Sequence, residues 1–289
     1  MTHSFPIDVY LLLVAVGLFA GVFGGLLGIG GSLIMIPALT ELLGPDQHLY
    51  QAAAMIVNFF VVVPAVVQHR RQGTIERSTV VQLVPLAALA VILGVLASEA
   101  PFFKERNEPY LRLLFGLFLF ADSIVEFRRL FVKQPSERLG LEPPPAGDRP
   151  QRARWRFTAA VALPTGFIGG LLGVGGGVLA VPLQRRFLRV PIRSAIANSA
   201  SMIIATSLIG ATVKNYAYVS AHDASLRSFV LAGVLIPTAI LGSMMGSRLM
   251  YRLPVRAIRT LFCILFAVVA IRFVFGAIES IQTTALAMT

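Results

Sequence analysis

Charged side chains are scarce in this sequence. Of its 289 residues only 13% are charged, whereas 56% are hydrophobic, and the mean hydropathy is +0.77. A soluble globular domain carries about 25% charged residues. The composition therefore argues against a water-soluble enzyme, and the apolar length suffices for many transmembrane helices of about 20 residues each. The sequence predicts an all-α polytopic membrane protein.

Several chemistries lack the residues that they need. The single cysteine, Cys263, rules out an intramolecular disulfide and a cysteine-based metal site. No P-loop is present, and no apolar segment carries the paired central carboxylates of many cation pumps. The four histidines fall in predicted loops or at segment ends, at positions 3, 48, 69 and 222. We therefore expect no enzymatic activity, no cofactor and no metal site.

Lysine is rare too, and the net charge of +11 comes mostly from arginine. The basic residues form short runs between apolar stretches, which matches the tendency of Lys and Arg to collect in cytoplasmic loops. A nucleic-acid partner would require one basic face on a soluble module, so we expect none. The expected surroundings are the lipid bilayer, with a homo-oligomer possible. Lys214 and Arg272, which interrupt apolar segments, are predicted to extend their charged ends to the membrane interface.

The chain contains two similar halves. FGGLLGIGGSLIMIP (23–37) aligns without a gap with IGGLLGVGGGVLAVP (168–182) at an offset of 145, and eight of the fifteen positions are identical. LRLLFGLFLF (111–120) is similar to IRTLFCILFA (258–267). These matches indicate a tandem duplication.

A Pro- and Arg-rich polar stretch separates the two copies. Its composition neither continues a helix nor forms a core, so it is typical of an exposed linker. We predict a first transmembrane repeat over 1–132, a cytoplasmic linker over 133–156 and a second transmembrane repeat over 157–289.

The loop charges indicate that the two repeats have opposite orientations. The turn 44–50 has no Lys or Arg whereas its counterpart 185–193 has four Arg; 69–77 has three Arg whereas 214–227 has two basic residues. This alternation predicts inverted-topology repeats of about five membrane segments each. If each Gly-rich stretch is re-entrant and not a full hairpin, the count becomes four and the inversion fails; the charge alternation favours five.

The Gly-rich stretches interrupt short hydrophobic segments at matching positions, which is the best sequence pointer to a transporter site. A half-helix that begins after such a break presents unpaired N–H groups and the positive end of its dipole. Two such ends facing each other would bind an anion without a charged side chain. The alternative is that these glycines are helix-packing faces. The candidate substrate-binding residues in the two breaks are Gly28, Gly30, Gly31, Ser32, Gly173, Gly175, Gly176 and Gly177.

Polar residues inside apolar segments form a second set of candidates. Asn58 lies near the middle of the segment 51–68, and Asn198 and Ser201 lie in the segment 195–213. Buried polar groups in a membrane must be paired, so these side chains either bond neighbouring helices or line a cavity. We include Asn58, Asn198 and Ser201 among the candidate substrate-binding residues.

At the repeated glycine motifs the sequence resembles the sulfite exporter TauE/SafE family of membrane transporters. The resemblance rests on GGLLGIGGSLIMIP and GGLLGVGGGVLAVP, on the small and polar segments that follow each, and on the linker, and it covers nearly the whole chain. It implies an anion transporter of the bacterial inner membrane that moves sulfite or a small organosulfonate such as sulfoacetate. Ser32 departs from the fuller glycine triplet of the second half.

The sequence and the resemblance together predict a secondary transporter that exports a small sulfur-containing anion by alternating access. Glycine amides and Ser32 would bind the anionic group, and the polar residues of the neighbouring segments would line the cavity. The alternative is a non-transporting membrane subunit that scaffolds or anchors a partner, in which case the linker would carry the function.

Overall fold

The computed structural model describes residues 7–44, 46–100, 151–221 and 226–286, with individual positions between 110 and 128. Every regular element in this described part is helical. The helices of the first half are α1 (Ile7–Leu27), α2 (Ser32–Leu43), α3 (Gln47–Arg71) and α4 (Arg77–Ser98). Those of the second half are α5 (Gln151–Leu171), α6 (Gly177–Leu183), α7 (Ile192–Ala221), α8 (Arg227–Arg252) and α9 (Val255–Leu286), with a π-helical turn, Gln184–Leu188, after α6.

The structure describes only part of the predicted linker, 133–156. The described positions between 110 and 128 are helical, and residues 129–150 lie outside the described part of the chain. The last residues assigned to the linker, from Gln151 onward, belong to α5.

Among the described residues, six helices are long and apolar enough to cross a membrane. They are α1, α3, α4, α7, α8 and α9. The prediction of a polytopic all-α membrane protein is therefore confirmed.

The segments that follow the Gly-rich stretches are much shorter. At about 1.5 Å per residue, the 12 residues of α2 extend for roughly 18 Å and the 7 residues of α6 for less. The hydrocarbon core is about 30 Å thick, so neither helix crosses it. A count of five complete passes per half therefore does not hold for the segments 31–43 and 177–184.

Small residues bring helices of the two halves into close contact. Gly25 of α1 packs against Ser243 of α8, and α4 makes the equivalent contact with α5, where Gly94 packs against Phe167. Residue numbers increase in the same direction along both contacts, so each pair of helices is parallel. The first helix of each half thus packs on the fourth helix of the other half, through the small-residue faces common between membrane helices.

Helices α3 and α7, which are equivalent in the two halves, cross in opposite directions. Near one end of the contact, Nδ2 of Asn215 donates to the carbonyl of Ala52 at 3.1 Å. One turn further along α3, Met55 packs against Gly210. Along this contact the residue numbers of α3 increase while those of α7 decrease, so the two helices are antiparallel.

Gly246→Ala tests the close packing of α1 on α8. A Cβ at position 246 would overlap the Val22 carbonyl, a backbone atom that cannot rotate away. We expect the free energy of unfolding to fall by about 2 kcal/mol, as for other overpacked sites. The melting temperature in detergent should fall by roughly 5 °C.

Gly233→Ala is the matched control on the same helix. A Cβ at position 233 meets nothing within 4 Å. Alanine also has the higher helix propensity, so this melting temperature should stay unchanged or rise slightly. Equal losses in the two variants would contradict the packing argument.

Candidate functional site

Two glycine breaks connect α1 to α2 and α5 to α6. In the first break Gly28 and Gly30 have positive φ, and in the second Gly173, Gly175 and Gly176 do. L-residues with a Cβ rarely adopt this left-handed backbone conformation, which glycine adopts freely. The sequence therefore places glycine where the chain has to turn back on itself.

Each break also packs closely against a helix of the opposite half. A Cβ at Gly28 would lie 2.5 Å from the carbonyl oxygen of Ile196 on α7, and a Cβ at Gly173 would lie 2.5 Å from the side chain of Gln51 on α3. These two contacts are equivalent in the two halves, because Gly173 follows Gly28 by 145 positions and Ile196 follows Gln51 by the same number. The duplicated motif thus produces a duplicated contact.

The two breaks meet between α3 and α7. A Cβ at Gly177 would lie 2.5 Å from Cα of Ile29. Ser199 Oγ donates to the Gly28 carbonyl at 2.7 Å and lies 3.4 Å from the Gly177 carbonyl. Residues that are far apart in the sequence therefore form one buried centre.

Asn58 joins the two breaks and caps α2. Its Oδ1 accepts hydrogen bonds from the amides of Gly31 at 2.7 Å and Ser32 at 3.0 Å. Its Nδ2 donates to Ser32 Oγ at 2.9 Å and to the carbonyl of Val174 at 3.3 Å. Asn58 and Ser32 are fully buried. In this conformation the first amides of α2 are therefore bound to Asn58.

The second break has no such cap. The residue of α7 equivalent to Asn58 is Ile203, which carries no hydrogen-bonding side chain. No side chain of the described residues caps α6, whose N-cap residue Gly176 is left-handed. Positive φ recurs at the equivalent pairs Gly28/Gly173 and Gly30/Gly175, but Gly31 is right-handed where Gly176 is left-handed, and only α2 has a side-chain cap.

Two buried polar side chains beside the second break have no partner. Gln51 is fully buried against Gly173, and neither its Oε1 nor its Nε2 has a hydrogen-bond partner. Thr165 is also fully buried, its hydroxyl is unpartnered, and its backbone lies against Gly176. Unsatisfied buried polar groups are uncommon because each costs about 1–3 kcal/mol.

Sequence reasoning missed both of these residues. It began the apolar segment at Gln51, whereas α3 begins one turn earlier at Gln47 and carries Gln51 into the interior. Thr165 lies in an apolar segment, and none of its neighbours in the sequence indicates a functional role. The polar character of position 51, where the other half has Ile196, was the available signal.

The remaining predicted residues are distributed unevenly around the breaks. Gly175 has the most space, since a Cβ there would meet Asn58 Nδ2 at 3.4 Å, and its carbonyl accepts from Thr206. Ser201 donates to the Ala197 carbonyl on its own helix. Asn198 accepts from the Glu76 amide and donates to Gln184. The side-chain hydrogen bonds of Asn198 and Ser201 thus go to groups outside the breaks.

Lys214 corrects a sequence expectation. Its side chain is fully buried and does not extend to the membrane interface. Its Nζ lies 2.6 Å from Oε1 of Glu99, and it also contacts His48 and Ser98, each at 2.9 Å. A buried ammonium requires a paired carboxylate, and Glu99 at the end of α4 supplies it. Arg272, by contrast, is exposed, 3.5 Å from Glu41.

The comparison with protein families decides the class of this chain. The family described as Sulfite exporter TauE/SafE matches residues 13–273, a range that includes both breaks and both crossing helices. The chain belongs to the Sulfite exporter TauE/SafE family. It is accordingly a multi-pass membrane protein of that family.

Relatives of this TauE/SafE chain have consistent names. The probable membrane transporter protein MamO of Magnetospirillum gryphiswaldense is 26% identical over 88% of this chain, which spans only 43% of the length of MamO. YunE of Bacillus subtilis is 23% identical over 94% of this chain and 99% of its own length. MJ0441 of Methanocaldococcus jannaschii is 24% identical over 80% of this chain and 84% of its own length. Both are also named probable membrane transporter proteins, and no solved structure matches.

Proposed function

We propose that this protein is a secondary transporter that exports sulfite or a small organosulfonate, such as sulfoacetate, across the inner membrane by alternating access. The substrate site is the second glycine break with the side chains beside it. The observation that carries the proposal is the fully buried Gln51, whose amide atoms both lack a partner next to Gly173. The family supports a small anionic substrate.

The chemistry of this region suits an oxyanion. The polar side chains beside the second break, Gln51, Thr165 and Thr206, are neutral, so they do not repel an anion. The Gln51 amide and the Thr165 hydroxyl supply donors, and backbone N–H groups after a glycine turn supply more. A sulfite or sulfonate group carries several acceptor oxygens that such donors can share.

The candidate residues divide between the two breaks in this proposal. Gly173, Gly175, Gly176 and Gly177 surround the anion, and Gly28, Gly30, Gly31, Ser32 and Asn58 form the capped counterpart that holds the centre together. Asn198 and Ser201 serve the packing of α7.

We also propose that the two halves are inverted repeats. The support is that the equivalent helices α3 and α7 are each long enough to cross the bilayer and run in opposite directions. Repeats related by an axis in the membrane plane place equivalent helices in this way. If α1 enters the membrane and α2 returns from the break, the pair adds no crossing. Five segments less this pair leave three crossings, an odd number, so a break that is re-entrant in this way is compatible with the inversion, unlike one that leaves four crossings per half.

Gln51→Ile tests the substrate site and copies the equivalent residue, Ile196. Replacing an unsatisfied buried amide by an apolar side chain should leave the melting temperature of the ligand-free protein unchanged or higher. A ligand at 100 times its Kd adds about 2.7 kcal/mol, which raises the wild-type melting temperature by roughly 5–10 °C. We expect this rise with sulfite or sulfoacetate, and its loss in Gln51→Ile.

Gln72→Ile is the matched control, because Gln72 is exposed at the end of α3. This variant should keep the ligand-dependent rise. Proteoliposome uptake of the same anions should follow the same order. An unchanged ligand response in Gln51→Ile would reject the second break as the site, and no response of the wild-type protein to any sulfur oxyanion would reject the substrate class.

A further inference from the structure

Among the described residues, two clusters of buried and half-buried ionisable groups lie at opposite ends of the α3–α7 pair. The lysine cluster consists of Lys214, Glu99, His48 and Ser98. Lys214 Nζ contacts all three partners, at 2.6 Å, 2.9 Å and 2.9 Å respectively, and His48 Nδ1 lies 3.2 Å from Glu99 Oε1. His48 Nε2 is buried and has no hydrogen-bond partner.

The tyrosine cluster lies at the other end of α3. It consists of Tyr251, His69, Thr74 and Arg193. The Tyr251 hydroxyl lies 2.8 Å from His69 Nδ1 and 2.7 Å from Thr74 Oγ1. Arg193 donates to the carbonyl of Leu253 at 3.2 Å, close enough for its charge to act on the tyrosine hydroxyl.

The two clusters occupy equivalent positions in the two halves. On α3 and α7 the offset of 145 pairs His69 with Lys214 and His48 with Arg193. On α4 and α8 the equivalent residues are Gly94 and Gly246. Gly94 packs on α5 at the same position of the repeat at which Gly246 packs on α1. Counting on from these glycines pairs Glu99 with Tyr251.

The spacing of the clusters matches the thickness of a membrane. His48 and His69 are 21 positions apart on α3, about 31 Å at 1.5 Å per residue. The hydrocarbon core is about 30 Å thick. The glycine breaks lie between the clusters, with Asn58 about halfway along α3.

We propose that the two clusters are the gates of the transporter on opposite faces of the membrane, and that the lysine cluster opens when His48 takes up a proton. This inference rests on the proposed transport function and assigns the proton as its coupling ion. The tyrosine cluster is the counterpart gate, in which the permanently charged Arg193 replaces the titratable His48.

The hydrogen bonds of the lysine cluster explain why a proton would open it. Lys214 Nζ is a donor, so His48 Nδ1 accepts its hydrogen bond only while that nitrogen carries no proton. A proton on Nδ1 removes this bond, directs the new N–H toward Glu99 Oε1, 3.2 Å away, and places a second cation beside Lys214. The cluster then changes from neutral to a net charge of +1, which is disfavoured when buried and is stabilised by water or by an arriving anion.

Glu99 does not take up this proton in the physiological range. Burial by itself raises the pKa of Glu99, but its contact with His48 and the charge and hydrogen bond of Lys214 lower it from 4.5 to about 2. The carboxylate therefore stays charged between pH 5 and pH 8. Histidine is the side chain type whose charge changes in that interval.

Few other described charges face His48. Lys214 comes from α7 and Glu99 follows α4, as given above. Asp46, on the same element as His48, caps α3 by accepting from the amide of Leu49. From the neighbouring α2, Glu41 is exposed and contacts Arg272 of α9. Arg227, at the start of α8, has no described contact with His48.

The lysine cluster is also placed to affect the substrate site. His48 and Gln51 are three positions apart on α3 and therefore lie on the same face, one turn apart. Gln51 packs on the second glycine break. A movement of this end of α3 would therefore reach both the gate and the proposed anion site.

Thiol labelling tests the gate without any substrate. Cys263 is the only cysteine, so Cys263→Ala provides a cysteine-free protein. Into it we introduce either Ala52→Cys or Ala197→Cys, two equivalent buried positions one turn inside the lysine and tyrosine gates. The variants, in nanodiscs, react with a hydrophilic thiol reagent at pH 6 and pH 8. Each rate is divided by that of the same variant unfolded in detergent, because thiolate content itself depends on pH.

We expect the normalised rate at position 52 to rise about tenfold from pH 8 to pH 6, the tenfold change corresponding to 1.4 kcal/mol. His48→Gln should abolish this rise, because glutamine still accepts from Lys214 but takes up no proton. His69→Gln, the matched control in the tyrosine cluster, should keep it, and position 197 should show no rise at low pH.

A pH response at position 52 that survives His48→Gln, or no response at position 52, would overturn the proposal. A response abolished by His69→Gln would assign the proton to the other gate and would overturn it as well. Since no anion is present, this result is independent of whether sulfite or sulfoacetate binds.

Discussion

Asn58→Leu is expected to lower the free energy of unfolding by about 4 kcal/mol and to reduce transport by at least about 100-fold. The leucine side chain leaves the amides of Gly31 and Ser32 without their acceptor and the Val174 carbonyl without its donor. Each buried group left unpaired costs about 1–3 kcal/mol. The measurements are thermal unfolding in detergent, with a loss of roughly 10 °C in melting temperature, and anion uptake by proteoliposomes.

Asn198→Leu separates loss of stability from loss of the site. Asn198 is as fully buried as Asn58, and its amide makes two hydrogen bonds, to Glu76 and Gln184. Its replacement should also destabilise the protein, but the folded fraction should still be stabilised by the anion. If Asn58→Leu keeps wild-type transport, the link that Asn58 makes between the two breaks is not required.

Lys214→Met should lower the free energy of unfolding by about 3–5 kcal/mol, because it removes the fully buried ammonium that lies 2.6 Å from the Glu99 carboxylate. Methionine keeps most of the apolar volume of the lysine side chain, so loss of charge pairing and not a cavity causes the change. Denaturant unfolding of the full chain in detergent measures the difference.

The double variant Lys214→Met/Glu99→Gln is the control for this prediction. With neither charge present the desolvation penalty disappears, so most of the lost stability should return. Equal stability of the single and double variants would show that the charge left on Glu99 is not the cause of the loss.

The same ion pair predicts a dependence on pH. The pKa of Glu99 is lowered from 4.5 to about 2, so the stability that its ionised form contributes is fully present above about pH 4.5 and is lost as the pH falls toward 2. The deficit of Lys214→Met should therefore shrink below about pH 4.5, since protonation neutralises the carboxylate that has lost the Lys214 ammonium.

The glycine breaks and Lys214 illustrate how far sequence reasoning extends. The positions of the breaks can be predicted, because a repeated motif with adjacent glycines and a shared proline is visible without any tertiary information. The interfacial position predicted for Lys214 was wrong, because its partner Glu99 is 115 positions away and no local pattern links the two. The cap that Asn58 provides is not predictable for the same reason, since Asn58 also contacts Val174, 116 positions away.

The sequence by itself determined the class of this protein: the scarcity of charge required a membrane, and the duplicated glycine motif required two related halves and identified the family. Hydropathy and repeats are properties of neighbouring residues, so they can be read directly from the chain. Only the tertiary structure decided which buried polar groups are satisfied. Asn58 and Lys214 have partners and Gln51 has none, because those partners come from helices that meet only after the two halves pack together.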